Sequence, residues 1–405
     1  DYLRQQTARE VKAMKEDEAK AAQKAARNGK KGEAYQATPS EVALHYLYIV
    51  AMDGTCVKLK APALNDMDYL LGKLKKMTRS LTIYGKAKAA VILALNYDYK
   101  TAADYLKSME EYSVYREDMG RYYDTRKAYY SWRNYKIPTE VAAIEALQAL
   151  DAQSIAAISS ASFAISKQQT IEEMQRWLLM SKRTQVWDTP VNTVDAVYAF
   201  MKGNESNWNR KAENAVLKLD GKLLPMPQDS TTLGYVKTER PGKASKLSID
   251  KKSDYTSWGA VYAEFKQPIS EIGSMESGIK VRRVIVPAES ESKGNAQVGE
   301  KVKVTLIITA DRDYDFVQIT DKRAACLEPV NQLSGYQWSI GCYVSPRDHA
   351  TNFYFDRLSK GKHIVEMEYY VDRKGDYQSG TCIAECTYSP EFGGRTETYE
   401  LKVNN

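Results

Sequence analysis

The chain has 405 residues, a length typical of two to four domains. It carries 58 Lys and Arg against 52 Asp and Glu, and this net charge of +6 is too small to indicate nucleic-acid binding. Apolar residues make up 43% and charged residues 27%, as in ordinary globular proteins. The sequence contains no uninterrupted run of about 18 apolar residues, so no membrane span is predicted. The chain begins at Asp1 without an initiator Met or a signal segment, so we interpret it as a piece of a longer protein.

Residues 1–203 show the apolar period of amphipathic helices, which predicts about nine helices with short links. One of them is opened by a capping box in which Thr38 provides the N-cap hydroxyl and Pro39 takes the first helical position. Such a series predicts an array of helical hairpins. The predicted helices are residues 1–28, 38–51, 65–74, 82–96, 101–109, 138–150, 151–168, 170–180 and 192–203.

Beyond Gly203 the apolar residues alternate with polar ones, which is the pattern of β-strands. The predicted strands are residues 215–219, 232–237, 246–249 and 259–265, then, after a linker at 269–274, residues 278–286, 302–309, 316–321, 351–355, 363–370 and 396–403. Their spacing is typical of a β-sandwich. The predicted fold class is therefore multidomain α and β: a helical array over 1–203, an antiparallel β module over 204–272 and a β-sandwich over 273–405.

Four of the five cysteines, Cys326, Cys342, Cys382 and Cys386, fall in the last 80 residues. An even cluster in a small β domain predicts disulfides and an oxidising compartment, although buried free thiols are the alternative. The last two lie on a further predicted strand, residues 381–388, with their Cα atoms about 13 Å apart, beyond the roughly 7 Å that a disulfide spans. Each is therefore predicted to pair with one of the first two, in either order, and Cys56 to stay a free thiol.

Metal, cofactor and catalytic sites are not predicted. The chain has three histidines, His45, His349 and His363, and none belongs to an H-E-x-x-H or zinc-ligand pattern. His45 lies between apolar residues of a predicted helix, which indicates a core or surface imidazole. No nucleophile-elbow, phosphate-loop or dinucleotide motif is present. Cys56 lacks the basic neighbours that activate a thiol.

An aromatic stretch between Tyr112 and Tyr135 is the strongest candidate for a binding site. Its rings are Tyr112, Tyr115, Tyr122, Tyr123, Tyr129, Tyr130, Trp132 and Tyr135. One hypothesis is a rim of a helical barrel that stacks on sugars, with Asp118 and Asp124 as acid and base. The other is that these rings cover the end of the helical array or a neighbouring domain. We favour the second, because paired carboxylates are common on any protein surface.

Several segments resemble, in their order along the chain, the carboxyl-terminal part of the alpha-2-macroglobulin family in its bacterial envelope branch. They span roughly residues 35–400. The helical ones are Pro138–Leu150 and the stretch WLLMSKRTQVWDTP at Trp177–Pro190, which is followed by Thr193, Ala196, Val197 and Ala199. The β ones are DKRAACLEPV at Asp321–Val330, FYFDRL at Phe353–Leu358 and YSPEF at Tyr388–Phe392.

The resemblance implies a thioester-domain-like α/α toroid for residues 1–203, part of a CUB-type β module for 204–272 and the terminal macroglobulin-like sandwich for 273–405. The family's thioester segment, Cys-x-Glu-Gln, is absent, because no Glu is immediately followed by Gln anywhere in the chain. The family's Pro-Ala-Gly turn is replaced here by Arg323–Cys326, which places a thiol where the glycine would be.

The function that the resemblance implies is that of a protease-trapping inhibitor of the cell envelope, in the periplasm or at the cell surface. This fragment would be no enzyme and would need no cofactor. Its partners would be proteases, bound through the full-length parent, and upstream domains of that parent, with neither nucleic acid nor a membrane span involved. The alternative function is a glycan-binding or glycan-processing α/α toroid enzyme with accessory β domains.

Overall fold

The mixed α and β multidomain fold is confirmed in a computed structural model. Contacts divide the chain into two compact units, Asp1–Ala199 together with Glu264–Asn405, and Phe200–Ala263. The boundaries predicted at 203/204 and 272/273 stay predictions. The structure describes residues 1–27, 35–53, 62–77, 81–125, 135–150, 166–184, 187, 189–202, 215–224, 238–239, 242–252, 259, 261–262, 264, 266–287 and 295–404.

Eight α-helices lie in these described ranges. They are α1 (Tyr2–Arg27), α2 (Glu41–Met52), α3 (Ala63–Leu74), α4 (Ile83–Leu95), α5 (Tyr99–Lys107), α6 (Lys136–Ala149), α7 (Lys167–Thr184) and α8 (Pro190–Met201). The helix predicted over 151–168 lies largely outside the described residues. None of the helices in the described ranges combines the length and apolar character needed to cross a bilayer.

The centre of the helical array is formed by α4 and α6, which pack against each other. Both are buried almost all round rather than along one stripe, which is typical of a central helix. Small residues at their contact, among them Ala90, Ala94, Ala142 and Ala146, let the two backbones approach closely. The first helix is half solvated as predicted, and it buries a stripe of Thr7, Val11 and Met14.

One predicted helix start is wrong by two residues. The N-cap of α2 is Ser40, whose hydroxyl accepts from the backbone N–H of Ala43 at 3.3 Å, rather than Thr38. Ser40 is in the extended conformation of an N-cap, so Pro39 lies outside the helix. The Ser40 hydroxyl also donates to Glu10 Oε2 at 2.6 Å, which ties the start of α2 to α1.

A short β-hairpin interrupts the helical array at a place where the sequence predicts no strand. Its strands are β1 (Ser113–Arg116) and β2 (Gly120–Tyr123), and they pair antiparallel with Ser113 opposite Tyr123. A single 3-10 turn at Glu110–Tyr112 leads into it. The hairpin therefore occupies the first half of the Tyr112–Tyr135 stretch.

The second unit contains a three-stranded antiparallel sheet in the order β4-β3-β5. Its strands are β3 (Val216–Leu219), β4 (Lys222–Leu223) and β5 (Leu247–Asp250). The carboxylate of Asp220, in the β3–β4 turn, accepts from the backbone N–H of Lys246 at 2.8 Å and so fixes the approach to β5. The strand predicted at 232–237 lies outside the described residues. The strand predicted at 259–265 is wrong where it can be checked, because its four described residues, 259, 261, 262 and 264, are not in a strand.

The carboxyl-terminal part is a sandwich whose largest sheet has the strand order β11-β15-β9-β7-β6-β18-β17-β10-β14-β13-β12. A smaller sheet has the order β16-β19-β8. The strands are β6 (Met275–Ser277), β7 (Ile279–Pro287), β8 (Asn295–Gln297), β9 (Lys301–Ala310), β10 (Tyr314–Lys322), β11 (Leu327–Pro329), β12 (Gly335–Gln337), β13 (Cys342–Pro346), β14 (Ala350–Leu358), β15 (Gly361–Val371), β16 (Gly375–Gln378), β17 (Cys382–Cys386), β18 (Ser389–Arg395) and β19 (Glu400–Asn404).

The core of this sandwich is built by alternating residues of its strands. In β9 every second residue from Val302 to Ala310 is buried, and these side chains pack against those of β7, β10 and β14. The predicted strand at 396–403 begins only at Glu400, because Thr396 is used instead to close the end of β17: its N–H donates to the Cys382 carbonyl at 2.9 Å.

Candidate functional site

The hairpin β1–β2 lies directly on helix α7, and Gly120 makes this approach feasible. Gly120 has φ +95°, and a Cβ atom at this position would lie 2.3 Å from the carbonyl oxygen of Glu173. Beside it the ring of Tyr122 stacks on buried Trp177, with centroids 5.3 Å apart and planes inclined by 17°. The Arg121 guanidinium adds an ion pair to Glu173 at 3.0 Å. The hairpin is thus fixed rigidly on the helix.

The tip of this hairpin forms an ionic contact with the β-sandwich. Arg116 and Asp118, from the hairpin, meet Asp311 and Arg312, from the turn between β9 and β10. Arg116 Nη2 lies 3.0 Å from Asp311 Oδ2, and Arg312 Nη2 lies 2.5 Å from Asp118 Oδ2. Within each domain, Arg116 also binds Asp118 at 3.0 Å and Arg312 binds Asp311 at 2.7 Å. Each charge of this four-charge contact therefore has two opposite neighbours.

The sandwich side of the contact is held in place by a close approach of backbone and side chain. The hydroxyl of Tyr314 donates to Asp311 Oδ1 at 2.7 Å. A Cβ atom on Gly278, which has φ +76°, would lie 2.0 Å from that hydroxyl, so the position requires glycine. The Gly278 carbonyl in turn accepts from the Asp311 N–H at 3.0 Å. The carboxylate that meets the hairpin is thereby aimed before the domains dock.

A second contact between the two domains lies along α7 and β18. The Ser389 hydroxyl donates to the Arg183 carbonyl at 2.6 Å, and the Arg183 guanidinium pairs with Glu391. Met180, one turn earlier on α7, packs against the sandwich core. Helix α7 therefore supports the hairpin on one side and contacts the sandwich on another.

The charges of the four-charge contact shift one another's pKa. Partial burial opposes ionisation of Asp311, but hydrogen bonds from Arg312, Tyr314 and Arg116 outweigh it and lower its pKa to about 2. In the same way, the two arginines outweigh burial at Asp118 and lower the pKa of that carboxyl. The pKa values of both Arg116 and Arg312 are raised by their carboxylate partners, against the effect of burial. All four groups are charged at neutral pH.

We predict that the docked state weakens in acid. Folding and docking together lower the pKa of Asp311 from 3.8 to about 2, and Arg116 of the hairpin supplies part of this shift. The contribution of Asp311 is therefore complete above about pH 5 and is lost as the pH falls toward 2. Calorimetry at several pH values measures this: one shared unfolding transition should separate into two as the pH falls.

The variant Asp311→Asn should show separate transitions already at neutral pH, whereas Asp372→Asn, a control carboxylate beside Arg373, should not. A single transition of the Asp311→Asn variant at neutral pH would contradict this prediction.

The described rings of the Tyr112–Tyr135 stretch are used mainly for packing. Tyr122 stacks on Trp177, Tyr123 is buried, and Tyr135 stacks on Tyr84 with centroids 4.9 Å apart. Asp118, which the sugar-binding hypothesis assigned to acid–base chemistry, is occupied by two arginines. Tyr129, Tyr130 and Trp132 lie outside the described residues. These contacts favour the hypothesis that the stretch covers the array and a neighbouring domain.

A buried carboxyl group below the hairpin is the feature that sequence reasoning missed most completely. Glu140, on α6, is fully buried, and burial raises its pKa well above 4.5 despite a hydrogen bond from the Tyr123 N–H. That bond joins the N–H to Oε2 at 3.2 Å, while Oε1 has no hydrogen-bond partner among the described residues. Glutamates are usually exposed, so the sequence offered no signal that this one is buried. The interior therefore favours the protonated form of Glu140.

A second polar group joins α2, α4 and α6 at the centre of the array. The Tyr48 hydroxyl donates to the buried carboxylate of Glu145, with oxygen–oxygen distances of 2.9 and 2.8 Å. Lys88 Nζ lies 3.7 Å above the Tyr48 ring. Burial and the Glu145 charge raise the pKa of Tyr48, so this hydroxyl remains a donor. The arrangement satisfies buried polar groups and orients three central helices.

The histidines and cysteines are placed as follows. His45 and His349 are exposed, and His363 Nε2 lies 2.7 Å from the Ser359 carbonyl oxygen. Within the described ranges no cluster of His, Cys, Asp and Glu could hold a metal ion. Cys56 lies outside these ranges. Cys326, Cys342, Cys382 and Cys386 are buried free thiols in the structure, and the predicted disulfides are not confirmed.

The strand registers bear on the cysteine pairing. Cys386 is opposite Val317, which is opposite Phe355 on β14, and Cys342 lies on the next strand, β13. Three strand spacings separate Cys386 from Cys342, about 14 Å in a sheet, which is beyond the range of a disulfide. A bond from Cys326 to Cys382 or Cys386 stays a prediction. Burial raises the pKa of Cys326 to about 11, so the thiol form is inert.

The turn that departs from the family pattern is stabilised by Arg323. Its Nε donates to the Leu327 carbonyl at 2.8 Å, and its Nη2 donates to the carbonyls of Arg347 and Asp348 at 2.6 and 2.8 Å. Arg323 thus fixes this turn with three backbone hydrogen bonds.

Comparison with known proteins shows what the sandwich is similar to. Residues 278–391 match the model of the bacterial alpha-2-macroglobulin MG10 domain. Trypsin-activated alpha-2-macroglobulin from Escherichia coli is 12% identical, with 90% of this chain and 27% of that one covered and a TM-score of 0.44. Native Escherichia coli alpha-2-macroglobulin from domain MG7 to the C-terminus is 13% identical, with 90% and 63% covered and a TM-score of 0.31.

Among curated proteins, Circularly permutated Ras protein 2 of Dictyostelium discoideum is 22% identical over 214 residues, which are 47% of this chain and 5% of that protein. The chain therefore spans less than two thirds of the length of each of these relatives. The resemblance drawn from the sequence is confirmed: with its sandwich matched over residues 278–391, the chain is similar to the carboxyl-terminal part of a bacterial alpha-2-macroglobulin.

Proposed function

We propose that the chain is the carboxyl-terminal part of a bacterial alpha-2-macroglobulin-like protease trap and contributes no catalytic group to it. The observation that carries this proposal is the match of residues 278–391 to the bacterial MG10 domain. The helical domain takes the place of the thioester-like toroid, and residues 204–272 that of part of the CUB-type module. The partners are proteases and upstream domains of the parent, and the location is the cell envelope, in the periplasm or at the cell surface.

The four-charge contact suits such a mechanical role. A trap must hold its domains in one arrangement until a bait segment is cut, and then let them rearrange around the protease. The side chains of Arg116, Asp118 and Asp311 are 35%, 45% and 35% exposed, so water can replace their ion pairs when the domains separate. Polar contacts of this kind between domains permit relative motion, whereas a large apolar interface would resist it.

Trapping is tested with the gene product that contains this chain, incubated with trypsin. A trap encloses the protease without blocking its active site, so cleavage of a large protein such as casein should fall steeply. Cleavage of a small chromogenic peptide should continue at nearly the original rate. Equal rates on both substrates, with and without the protein, would refute the proposal. Loss of both activities together would indicate an active-site inhibitor and would refute it as well.

The contact itself is tested by Arg312→Ala in the same protein. Arg312 is 11% exposed and binds both carboxylates, so its removal leaves Arg116 as the one arginine of the contact against Asp118 and Asp311. We expect the docked arrangement to open without cleavage, which small-angle scattering would detect as a larger radius of gyration, and we expect the protection of casein to fall.

The matched control is Arg373→Ala, because Arg373 also follows and pairs with an aspartate but is 79% exposed. It should leave scattering and trapping unchanged. An Arg312→Ala protein with unchanged dimensions would show that the four charges do not hold the domains together.

A further inference from the structure

Three tyrosines form a row on the outer face of the sandwich, at the β12 end of its largest sheet. Tyr336 on β12 is opposite Tyr343 on β13, and Tyr343 is opposite Tyr354 on β14. Their exposed fractions are 44%, 43% and 41%. Since neighbouring strands lie about 4.8 Å apart, the three side chains form one continuous strip, which we call the tyrosine row.

The tyrosine row is a regular face of the sheet rather than a set of stray residues. The inward neighbours Cys342, Val344, Phe353 and Phe355 are buried, so alternation along β13 and β14 directs the tyrosines outward. Antiparallel sheets of soluble proteins usually present polar or charged residues on such a face. Three aromatic rings in direct register there require an explanation beyond the stability of the sandwich.

Trp338 extends the tyrosine row at the edge of the sheet. It is 87% exposed, and its ring meets that of Tyr336 at an angle of 66° with centroids 4.7 Å apart. The turn that carries it is closed by hydrogen bonds from the Ile340 and Gly341 N–H groups to the Gln337 carbonyl, at 3.3 and 2.9 Å. The Trp338 ring is therefore exposed to solvent on an ordered turn.

The segment that carries Tyr336, Trp338 and Tyr343 has no formal charge, whereas on β14 the exposed Asp356 lies two residues beyond Tyr354 on the same face. The 18 residues from Pro329 to Pro346 include no Asp, Glu, Lys or Arg, in a chain in which 27% of residues are charged. Across the sheet, Tyr354 is followed by Gln318, and the first charge of this row is Glu385, on the fifth strand. The other polar side chains of the edge are amides and hydroxyls: Asn331, Gln332, Ser334, Gln337 and Ser339.

The aromatic rings and the uncharged segment around them indicate which class of ligand this face could bind. An anionic polymer or a membrane surface would require Lys and Arg at the face, and the segment that forms this edge contains neither. A protein partner uses tyrosine and tryptophan too, but its interface normally includes arginine among the anchors and a charged rim. A neutral sugar ring has a flat face of C–H groups that packs on an aromatic ring, and hydroxyls that bind amides.

We propose that the tyrosine row and Trp338 form a binding platform for a neutral polysaccharide. The flat face of one sugar ring packs on each aromatic ring, and the amides beside the row bind the hydroxyls at its edge. The platform is separate from the Tyr112–Tyr135 stretch and from the four-charge contact. It would attach the protein to a polysaccharide without taking part in trapping.

The experiment is co-sedimentation of the full chain with insoluble neutral polysaccharides, namely cellulose, chitin and a β-1,3-glucan, in salt at about 0.5 M to suppress attraction through the net charge. We expect saturable binding to at least one of the three. Trp338→Ala and Tyr343→Ala should each weaken that binding about tenfold, a change equivalent to about 1.4 kcal/mol. Tyr370→Ala, an equally exposed tyrosine on β15 (43%), should bind as the unchanged chain does.

Binding of none of the three polysaccharides would overturn the proposal, and so would equal binding by the Trp338 and Tyr343 variants. Both variants must keep the melting temperature of the unchanged chain; if Tyr343→Ala is unstable, the variant of the more exposed Trp338 decides alone. Trapping of trypsin by Trp338→Ala should be normal, so failure of the platform and failure of the proposed trap give different results.

Discussion

Replacing Arg283 with Ala should lower the free energy of unfolding of the β-sandwich by about 3–5 kcal/mol, the usual cost of leaving one partner of a buried ion pair alone. Arg283 lies on β7 but points inward, where its side chain is 4% exposed and that of Asp321 is 2% exposed. The two are joined by a bond of 2.7 Å from Nη1 to Oδ1. Without Arg283, Asp321 would depend on the Cys382 thiol and on the weaker influence of Arg323.

The other contacts of Arg283 add to this cost. Its Nη2 donates to the Gly380 carbonyl at 2.6 Å and to the Ser379 hydroxyl at 3.0 Å, and its guanidinium lies 4.6 Å from the centre of the Tyr399 ring. One side chain thus holds β7 to the segment between β16 and β17. Removing it leaves buried acceptors without a donor, which is costly in itself.

Two further variants isolate the ion pair. Arg282→Ala, at the adjacent exposed position of β7, should change stability by less than about 0.5 kcal/mol. The double variant Arg283→Met with Asp321→Asn should lose less than Arg283→Ala, because no charge is then left buried. Hydrogen exchange of the β9 amides measures the stability of the sandwich separately from that of the helical domain. If the double variant is as unstable as Arg283→Ala, the loss of stability comes from the lost packing of the Arg283 side chain and not from an unpaired buried charge.

The stability lost in Arg283→Ala should depend on pH in a predictable direction. Burial raises the pKa of Asp321 even with Arg283 present, and Arg283 lowers it from that level. Without Arg283 the pKa rises further, so the loss of stability is fully present at neutral pH. It shrinks as the pH falls toward the unfolded-state pKa, because the buried carboxyl is then protonated in both states.

The helices were largely predictable because their signals are local. The buried stripe of α1 and the Thr82 N-cap of α4 follow directly from residues three or four apart. Ser40 was missed as an N-cap because Thr38 and Ser40 both offer a hydroxyl. Only the extended backbone of Ser40 separates them.

The hairpin β1–β2 could not be predicted from its own residues. Each strand has four residues, too few for a period of two to stand out, and tyrosine is common in both helices and strands here. The four-charge contact was equally hidden, since Arg116 and Asp311 are 195 positions apart in the chain. Arg283 and Asp321 are separated by 38 positions. Pairs of this kind depend on the packing of domains and sheets, which no local pattern encodes.

The family resemblance, by contrast, identified Trp177 from its sequence surroundings, and the structure gives that residue a physical role. Trp177 is 5% exposed and stacks on Tyr122, and its backbone nitrogen would lie 3.1 Å from a Cβ atom on Gly120. Trp177 therefore forms part of the surface of α7 against which the hairpin packs. Trp132, another ring of the aromatic stretch, lies outside the described residues, so the packing hypothesis is tested at Trp177.

Replacing Trp177 with Ala should lower the free energy of unfolding of the helical domain by about 3–5 kcal/mol, as for other buried aromatic residues cut to alanine. The hairpin should lose its fixed position on α7, so hydrogen exchange of the Tyr122 and Tyr123 amides should accelerate most. Because Asp118 at the hairpin tip meets Arg312, docking of the sandwich should weaken too. Trp177→Phe, which keeps a ring beneath Tyr122, should cost roughly half as much. Trp187→Ala is the control, since this tryptophan contacts Lys182 rather than the hairpin. Unchanged hairpin exchange in Trp177→Ala would mean that Gly120 and the Arg121–Glu173 pair hold the hairpin without the stacked rings.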